Sequence, residues 1–345
     1  MLDSFERYEL DTTWLARALE GLPGSYDGPV RVLDAPYGVV GFGEGSWPAE
    51  FARRWIDAAL VTHGTQFVLS GGFDFGEAEA AGIIAEAGGS TVYRVGLARR
   101  SRRAKLEARR LRDDLLDADG YPISAELDDL DPDALEAIST MDLGADEVLE
   151  EAGVEYPVAA SPFSAYHYLQ ALCYATGRGS SAEAADRLLA ELCNRYRTEI
   201  PTDENPAKRL AWSLWTRTPL LMATHDHVAQ VWAWHAHISR LGKSMSIPLE
   251  RNPLTVISSG FEARHESGDA LVALTLGGED EALRLVREVL ETRIDEVIPV
   301  PAPEAEPYAA GLGLWYLGAW VGFYLAMLYG IDPKDATALE RLREL

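Results

Sequence analysis

Two glycine-bearing stretches, Gly41-Phe42-Gly43-Glu44-Gly45-Ser46 and Ser70-Gly71-Gly72, carry residue types suited to holding an anion. Their backbone N–H groups are unobstructed by side chains, and each stretch adds a serine hydroxyl. A second group is His225, His227, His235 and His237, close enough in sequence to raise the question of a metal. On a helix, however, His235 and His237 stand two apart and point to different faces, whereas ligands on one face stand three or four apart. His235 shares a face with Val228, Val231 and Ile238, which makes it a core or interface histidine, and no metal is expected. Trp232 and Trp234 read as packing residues rather than a stacking platform for bases.

The glycine stretches need a frame, and the chain supplies one by alternation. Gly38-Val39-Val40-Gly41 reads as a short buried strand entering the first stretch, with Pro48 opening the next helix, where its missing N–H costs nothing. Gln66-Phe67-Val68-Leu69 is a second strand, Ser70-Gly71-Gly72 its loop, then a helix through Ala80, Ile83 and Ile84, and Thr91 to Val95 a third strand. Alternating strands and helices specify a parallel sheet with its ligand crevice at the carboxyl ends of the strands, so both glycine loops are expected there. Thr12 or Thr13 caps an earlier helix carrying Trp14, Leu15 and Leu19. Further on, Val154 to Ala159 is strand-like, and two helices break at Gly177-Arg178-Gly179. A second series then has strands at Pro219 to Ala223, Ala270 to Thr275 and Val297 to Val300, and helices at Val228 to Leu241, Asp280 to Leu290 and Ala309 to Gly330.

The expected fold class is α/β, with two lobes that are each a parallel sheet flanked by helices in an αβα sandwich, as 345 residues allow. Residues 1–160 form N-terminal helices plus the first lobe, 161–200 connecting helices, and 201–345 the second lobe. A charged insertion at about 99–150 interrupts the first. It is basic from Arg99 to Arg112 and then acidic, with little apolar periodicity, and reads as a solvated arm; its functional alternative is a docking site for an acidic partner.

The net charge of −24 is built with only four lysines, Lys105, Lys208, Lys243 and Lys334. An acidic, lysine-poor surface suits a salt-rich cytoplasm, where screening weakens self-repulsion, and it disfavours nucleic acid as a partner. Cys173 and Cys193, without a CxxC spacing, point to a reducing cytoplasm. The first ten residues carry Asp3, Glu6, Arg7 and Glu9 where an export signal needs an apolar run. Ala309 to Gly330 is charge-free and long enough to span a membrane. Its glycines, its aromatics and the acidic flanks Glu304, Glu306 and Asp332 favour a helix buried in protein, so no membrane partner is expected.

The run Ile200-Pro201-Thr202-Asp203-Glu204-Asn205-Pro206-Ala207-Lys208-Arg209-Leu210-Ala211 is similar to a signature of the phosphoglucose/phosphomannose isomerases, a branch of the sugar isomerase (SIS) superfamily. Tyr324 to Pro333 resembles that family's closing helix with its glycine, aspartate, proline stop, and Gly41 to Ser46 resembles its sugar loop. The resemblance spans the chain except about 99–150. It implies two SIS lobes, a homodimer, no metal or cofactor, and a phosphosugar held between the lobes. The ligand-binding positions it implies are Gly43, Gly45, Ser46, Ser70, Gly71 and Gly72.

Aldose-ketose isomerisation in that family uses a phosphate cradle, a carboxylate base and a ring-opening histidine. Here the cradle's hydroxyl run is reduced to Ser70, with Asp74 and Glu77 nearby as carboxylates that repel phosphate unless they face away. Asn252 stands at the base position, Gly278 at the histidine position, and Ser164 where an arginine is expected. An amide takes no proton at neutral pH. The expectation is therefore a sugar-phosphate-binding protein with reduced or lost isomerase activity. Two rivals stand beside it: an active isomerase using Glu250, otherwise a solvated loop carboxylate, with His265, and a scaffold binding protein or nucleic acid through the charged arm.

Overall fold

The computed structural model describes residues 2–3, 13–71, 75–96, 162–250, 253, 270–294 and 296–333. The charged stretch at about 99–150, the strand expected at Val154 to Ala159, and Gly72, Asp74, Asn252 and His265 lie outside the described residues. Helix α1 (Thr13–Glu20) precedes two sheets, both wholly parallel among the described residues.

The first sheet has the order β1-β2-β3, with β1 at Tyr37–Gly43, β2 at Thr65–Gly71 and β3 at Thr91–Gly96. Helices α2 (Ser46–Ile56) and α3 (Phe75–Ala87) are the crossovers that parallel pairing demands. Val39, Phe67, Val68 and Leu69 are buried, as expected where helices cover a parallel sheet. Pro48 falls in the first turn of α2, just inside the position expected to open it. Arg94 of β3 reaches Glu79 at 3.3 Å and Glu86 at 2.8 Å on α3, and Gly82 leaves room for its guanidinium, since a Cβ there would lie 2.7 Å from Nη2. With α4 (Ser164–Ala175), these elements form one compact unit.

The second sheet, in the order β5-β4-β6-β7, comprises β4 (Thr218–Ala223), β5 (Ile247–Pro248), β6 (Leu271–Leu276) and β7 (Val297–Val300). Its helices are α5 (Gly179–Tyr196), α6 (Pro206–Leu214), α7 (Ala229–Ala236, continued by a π-helical turn His237–Leu241), α8 (Glu281–Leu290) and α9 (Pro307–Tyr329). On α8, Leu283, Val286 and Leu290 form one helical stripe, and it packs on Leu220, Met222 and Ala273 of the sheet. Along edge strand β7, the carbonyls of Glu296 and Val300 accept from Ala273 and Gly277 of the neighbouring chain segment. Pro299, between them, therefore turns its nitrogen to the free edge and loses no ladder bond.

The apolar segment expected at Ala309 to Gly330 is α9, long and apolar enough to cross a membrane yet buried in protein throughout its hydropathic window. Two glycines permit this. A Cβ at Gly318 would lie 2.9 Å from the Trp234 indole, and one at Gly322 would lie 2.7 Å from the His237 carbonyl oxygen. Chain order does not define the compact units. Helix α1 belongs with the second sheet, where the Tyr316 hydroxyl donates to the Leu19 carbonyl at 2.7 Å, and α4 belongs with the first, where Tyr168 donates to the Ser70 carbonyl at 3.0 Å.

The Asn205-Pro206-Ala207-Lys208 signature has a structural role. Buried Asn205 caps α6, its Oδ1 accepting from Ala207 at 3.0 Å and Lys208 at 3.1 Å, while Nδ2 donates to the Tyr196 carbonyl at 2.8 Å. Lys208 is fully buried, donates at 2.9 Å to both the Thr198 carbonyl and Asp3, and lies 5.5 Å above the Tyr324 ring. Burial raises the Asp3 carboxyl's pKa, but hydrogen bonds from Lys208 and Thr202 more than offset this and hold it below its ordinary value. Asn205→Ala is expected to lower the unfolding free energy by about 2–3 kcal/mol, combining a lost cap with unmade buried hydrogen bonds. The check is a shifted urea midpoint at unchanged slope.

Burial alone drives the His237 imidazole down to about 3, and burial, opposed by Asp27, takes His167 down to about 4. A histidine held neutral in the folded state binds its proton first in the unfolded chain, so this contribution falls as pH drops below about 6.5. Asp3 acts later: its contribution is present above the unfolded carboxylate range and is lost as pH falls through its depressed folded value. Stability is therefore expected to decline continuously between about pH 7 and pH 4, with a shallower decline in His237→Gln. Urea midpoints across that range check it, and an unchanged slope in the variant would refute the role of His237.

Candidate functional site

In the first unit, the register pairs Phe42 with Ser70 and Gly43 with Gly71, which sets the turn after β1 beside the carboxyl end of β2; the strand runs on through Ser70 and Gly71, where the sequence pattern predicts a loop. The first turn is sterically closed to larger residues. A Cβ on Gly41 would overlap the Gly45 carbonyl, a Cβ on Gly45 would lie 2.5 Å from the Leu69 carbonyl oxygen, and Gly43 has φ +52°. Exposed Ser46 begins α2 and donates to the Gly41 carbonyl at 3.3 Å. Gly45, at the N-cap of α2, has no side chain to bond the first turn, and the positive end of the helix dipole faces the glycine turn.

The end of β2 is held from below. Buried Ser164 hydrogen-bonds the Tyr168 hydroxyl, which donates to the Ser70 carbonyl. Ser164 thus stands in the core of the unit, supporting the strand end. Burial, with the Ser164 bond opposing it, pushes the Tyr168 phenol up to about 12, so it remains a donor at any physiological pH. Glu77 lies in the first turn of α3.

In the second unit, the carboxyl ends of β4, β5 and β6 gather the titratable groups. His227 lies in a 3₁₀ turn after β4, its Nδ1 3.0 Å from Thr224 Oγ1, and its ring fills the space beside Gly277 that any Cβ there would occupy. Burial lowers its pKa despite the opposing charge of Asp226, leaving a neutral imidazole at pH 7. Asp280 ties the two loops together, one oxygen accepting from the His225 N–H at 3.1 Å and the other from Leu283 at 2.8 Å. Gly277 and Gly278 have φ +89° and +103°, a region L side chains rarely adopt.

Glu250, two residues beyond β5, accepts from the half-exposed Trp232 indole at 2.6 Å. The Trp232 ring stands edge-on to His235, 5.7 Å between centroids, and His235 Nδ1 lies 2.8 Å from Ser246 Oγ. His237 is buried against Trp315 at 5.3 Å. The four histidines thus have separate surroundings, and no group of metal-ligating side chains occurs among the described residues. Sequence spacing placed His225 and His227 with a possible metal set. It carried no signal that His227 would stand against Gly277, a contact between loops about fifty residues apart.

Residues 15–110 match the phosphoglucose isomerase N-terminal domain, and residues 203–345 match the bacterial phospho-glucose isomerase C-terminal SIS domain. A bifunctional phosphoglucose/phosphomannose isomerase of Caldicellulosiruptor bescii is 27% identical over 175 residues, 47% of this chain and 50% of that protein. The chain thus spans about half the length of that curated relative. Over its whole length it superposes on a glucose-6-phosphate isomerase like protein from Thermus thermophilus, with a TM-score of 0.72, 30% identity, and coverage of 99% of this chain and 98% of that one. A glucosamine-6-phosphate deaminase from Thermotoga maritima shares the fold alone, at TM-score 0.51 and 12% identity over 94% of this chain and 95% of its own. This chain belongs to the SIS superfamily, among the phosphoglucose/phosphomannose isomerase relatives.

Proposed function

We propose that this chain binds a sugar phosphate at the turn Gly43 to Ser46 and the adjoining stretch Ser70 to Gly72, and that its aldose-ketose isomerase activity is reduced or lost. The observation that carries the reading is the backbone at Gly278. The position where the resemblance calls for a histidine has φ +103°, so a histidine side chain there would be strained whatever space surrounds it. Glycine adopts this backbone freely, so the conformation supports the reading that no histidine acts from this position. Asn252 at the base position supports the same reading from the sequence. The reading carries with it a homodimer in the cytoplasm, with no metal or cofactor.

One observation favours an active enzyme with relocated groups. His227 stands against Gly277, next in sequence to the vacated position, half-buried and neutral, and Glu250 follows the neighbouring strand. These two side chains, rather than His265, would be its ring-opening partner and base.

Fructose 6-phosphate, glucose 6-phosphate and mannose 6-phosphate decide between the readings. At least one is expected to raise the melting temperature, and Ser46→Asp, placing a carboxylate at the exposed start of α2 beside the cradle, should abolish that shift. Turnover in a coupled assay should lie at least about 10²-fold below that of an intact relative, the usual contribution of one positioned acid or base. Ordinary turnover that disappears in both Glu250→Gln and His227→Asn would overturn the proposal and establish the relocated enzyme. Absence of any thermal shift would remove the binding function as well.

A further inference from the structure

A groove of about 570 Å³ opens within the second unit, a volume typical of small-molecule sites. Leu192 and Tyr196 on α5, Leu210 on α6 and Leu317 on α9 give it an apolar floor, and the free side of β7 closes one wall. Leu192, Arg195 and Tyr196 share one face of α5, and Arg209, Leu210 and Ser213 share one face of α6, so both helices turn an arginine toward the groove with the apolar residues.

The charge pattern is the unusual feature. The chain has 55 acidic residues against 31 basic, and elsewhere in this unit Arg197, Arg217, Arg284 and Arg287 are all engaged by carboxylates. Arg195 and Arg209 are exposed and have no ion pair or side-chain hydrogen bond among the described residues. Glu296, the acidic residue lining the groove, is already neutralised by Arg217. The groove therefore pairs apolar surface with two uncompensated guanidiniums in a strongly anionic protein. An added peptide strand fits poorly, because Pro299 on the free edge and Pro301 and Pro303 beyond it have no N–H to offer.

We infer that this groove binds a small amphipathic phosphate monoester, its apolar body on Tyr196, Leu210 and Leu317 and its phosphate bridged by Arg195 and Arg209, with the Ser213 hydroxyl beside it. Planar guanidiniums hold phosphate oxygens in two-point contacts, and the apolar floor selects against phosphate alone. The inference is independent of the phosphosugar reading, since every residue it uses lies in the second unit.

Isothermal titration of the full chain with 1-naphthyl phosphate, 1-naphthol and inorganic phosphate tests it. One site for 1-naphthyl phosphate is expected, at least about tenfold tighter than either fragment. Arg195→Glu/Arg209→Glu should weaken it at least about tenfold at an unchanged melting temperature, and Ser213→Tyr, which fills the groove without altering charge, should weaken it by a similar factor. Undiminished binding in both variants would place the ligand elsewhere and overturn the inference. So would the absence of saturable binding, or equal affinity for the phosphate monoester and 1-naphthol.

Discussion

Parallel pairing is the constraint on which this structure depends. Each strand must be followed by a crossover that returns the chain to the same end of the sheet, and every crossover here is helical or long. All the strands of a sheet then deliver their carboxyl ends, with the loops that follow, to one side. The pairing of Gly43 with Gly71, and the meeting of the His227 loop with the Gly277 loop, both follow from that geometry. Once a sheet is parallel its chemistry is confined to one rim, and residues far apart in sequence become neighbours there.

The family signature has a structural duty in this chain that is independent of any chemistry. Asn205 and Lys208, the heart of the most recognisable motif, cap a helix and tie a buried ammonium to the Thr198 carbonyl and the exposed Asp3 carboxylate. Such residues are constrained by the fold: a buried lysine without its partners, or an uncapped buried helix end, costs several kcal/mol. They persist whether or not a substrate is turned over. Under the proposed loss of isomerase activity, groups that would move protons carry no such structural duty, so the fold stands without them, and Gly278 at φ +103° holds a backbone conformation that a histidine would adopt only with strain.

Much of the frame was readable from local pattern. Strand runs such as Gln66 to Leu69 and Ala270 to Thr275, and the stripe Leu283, Val286, Leu290, announce their elements because burial imposes a period on the sequence. The two-residue strand β5 has no period to show, and the π-turn at His237 to Leu241 reads as plain helix. The assignment of α1 to the second unit rests on Tyr316 reaching Leu19 across 297 residues, which no local pattern records. The glycines from Gly41 to Gly45 were readable as a loop. The reason they must be glycine, contact with the Leu69 and Gly45 carbonyls, belongs to tertiary structure.

Electrostatics separates the two anion sites proposed for this chain. The cradle proposed at Gly43 to Ser46 and Ser70 would rely on backbone dipoles, since Gly45 gives α2 no side-chain cap, and a net charge of −24 opposes the approach of any phosphate. Added salt screens that long-range repulsion while leaving short hydrogen bonds to backbone N–H groups largely intact, so such a cradle suits high ionic strength. The groove at Arg195 and Arg209 works in the opposite sense, because exposed guanidiniums attract an anion through charges that salt screens. Its apolar floor compensates in part, since burial of hydrocarbon survives salt and is strengthened by excluded anions. An amphipathic ligand is for that reason better matched to the groove than a purely polar one.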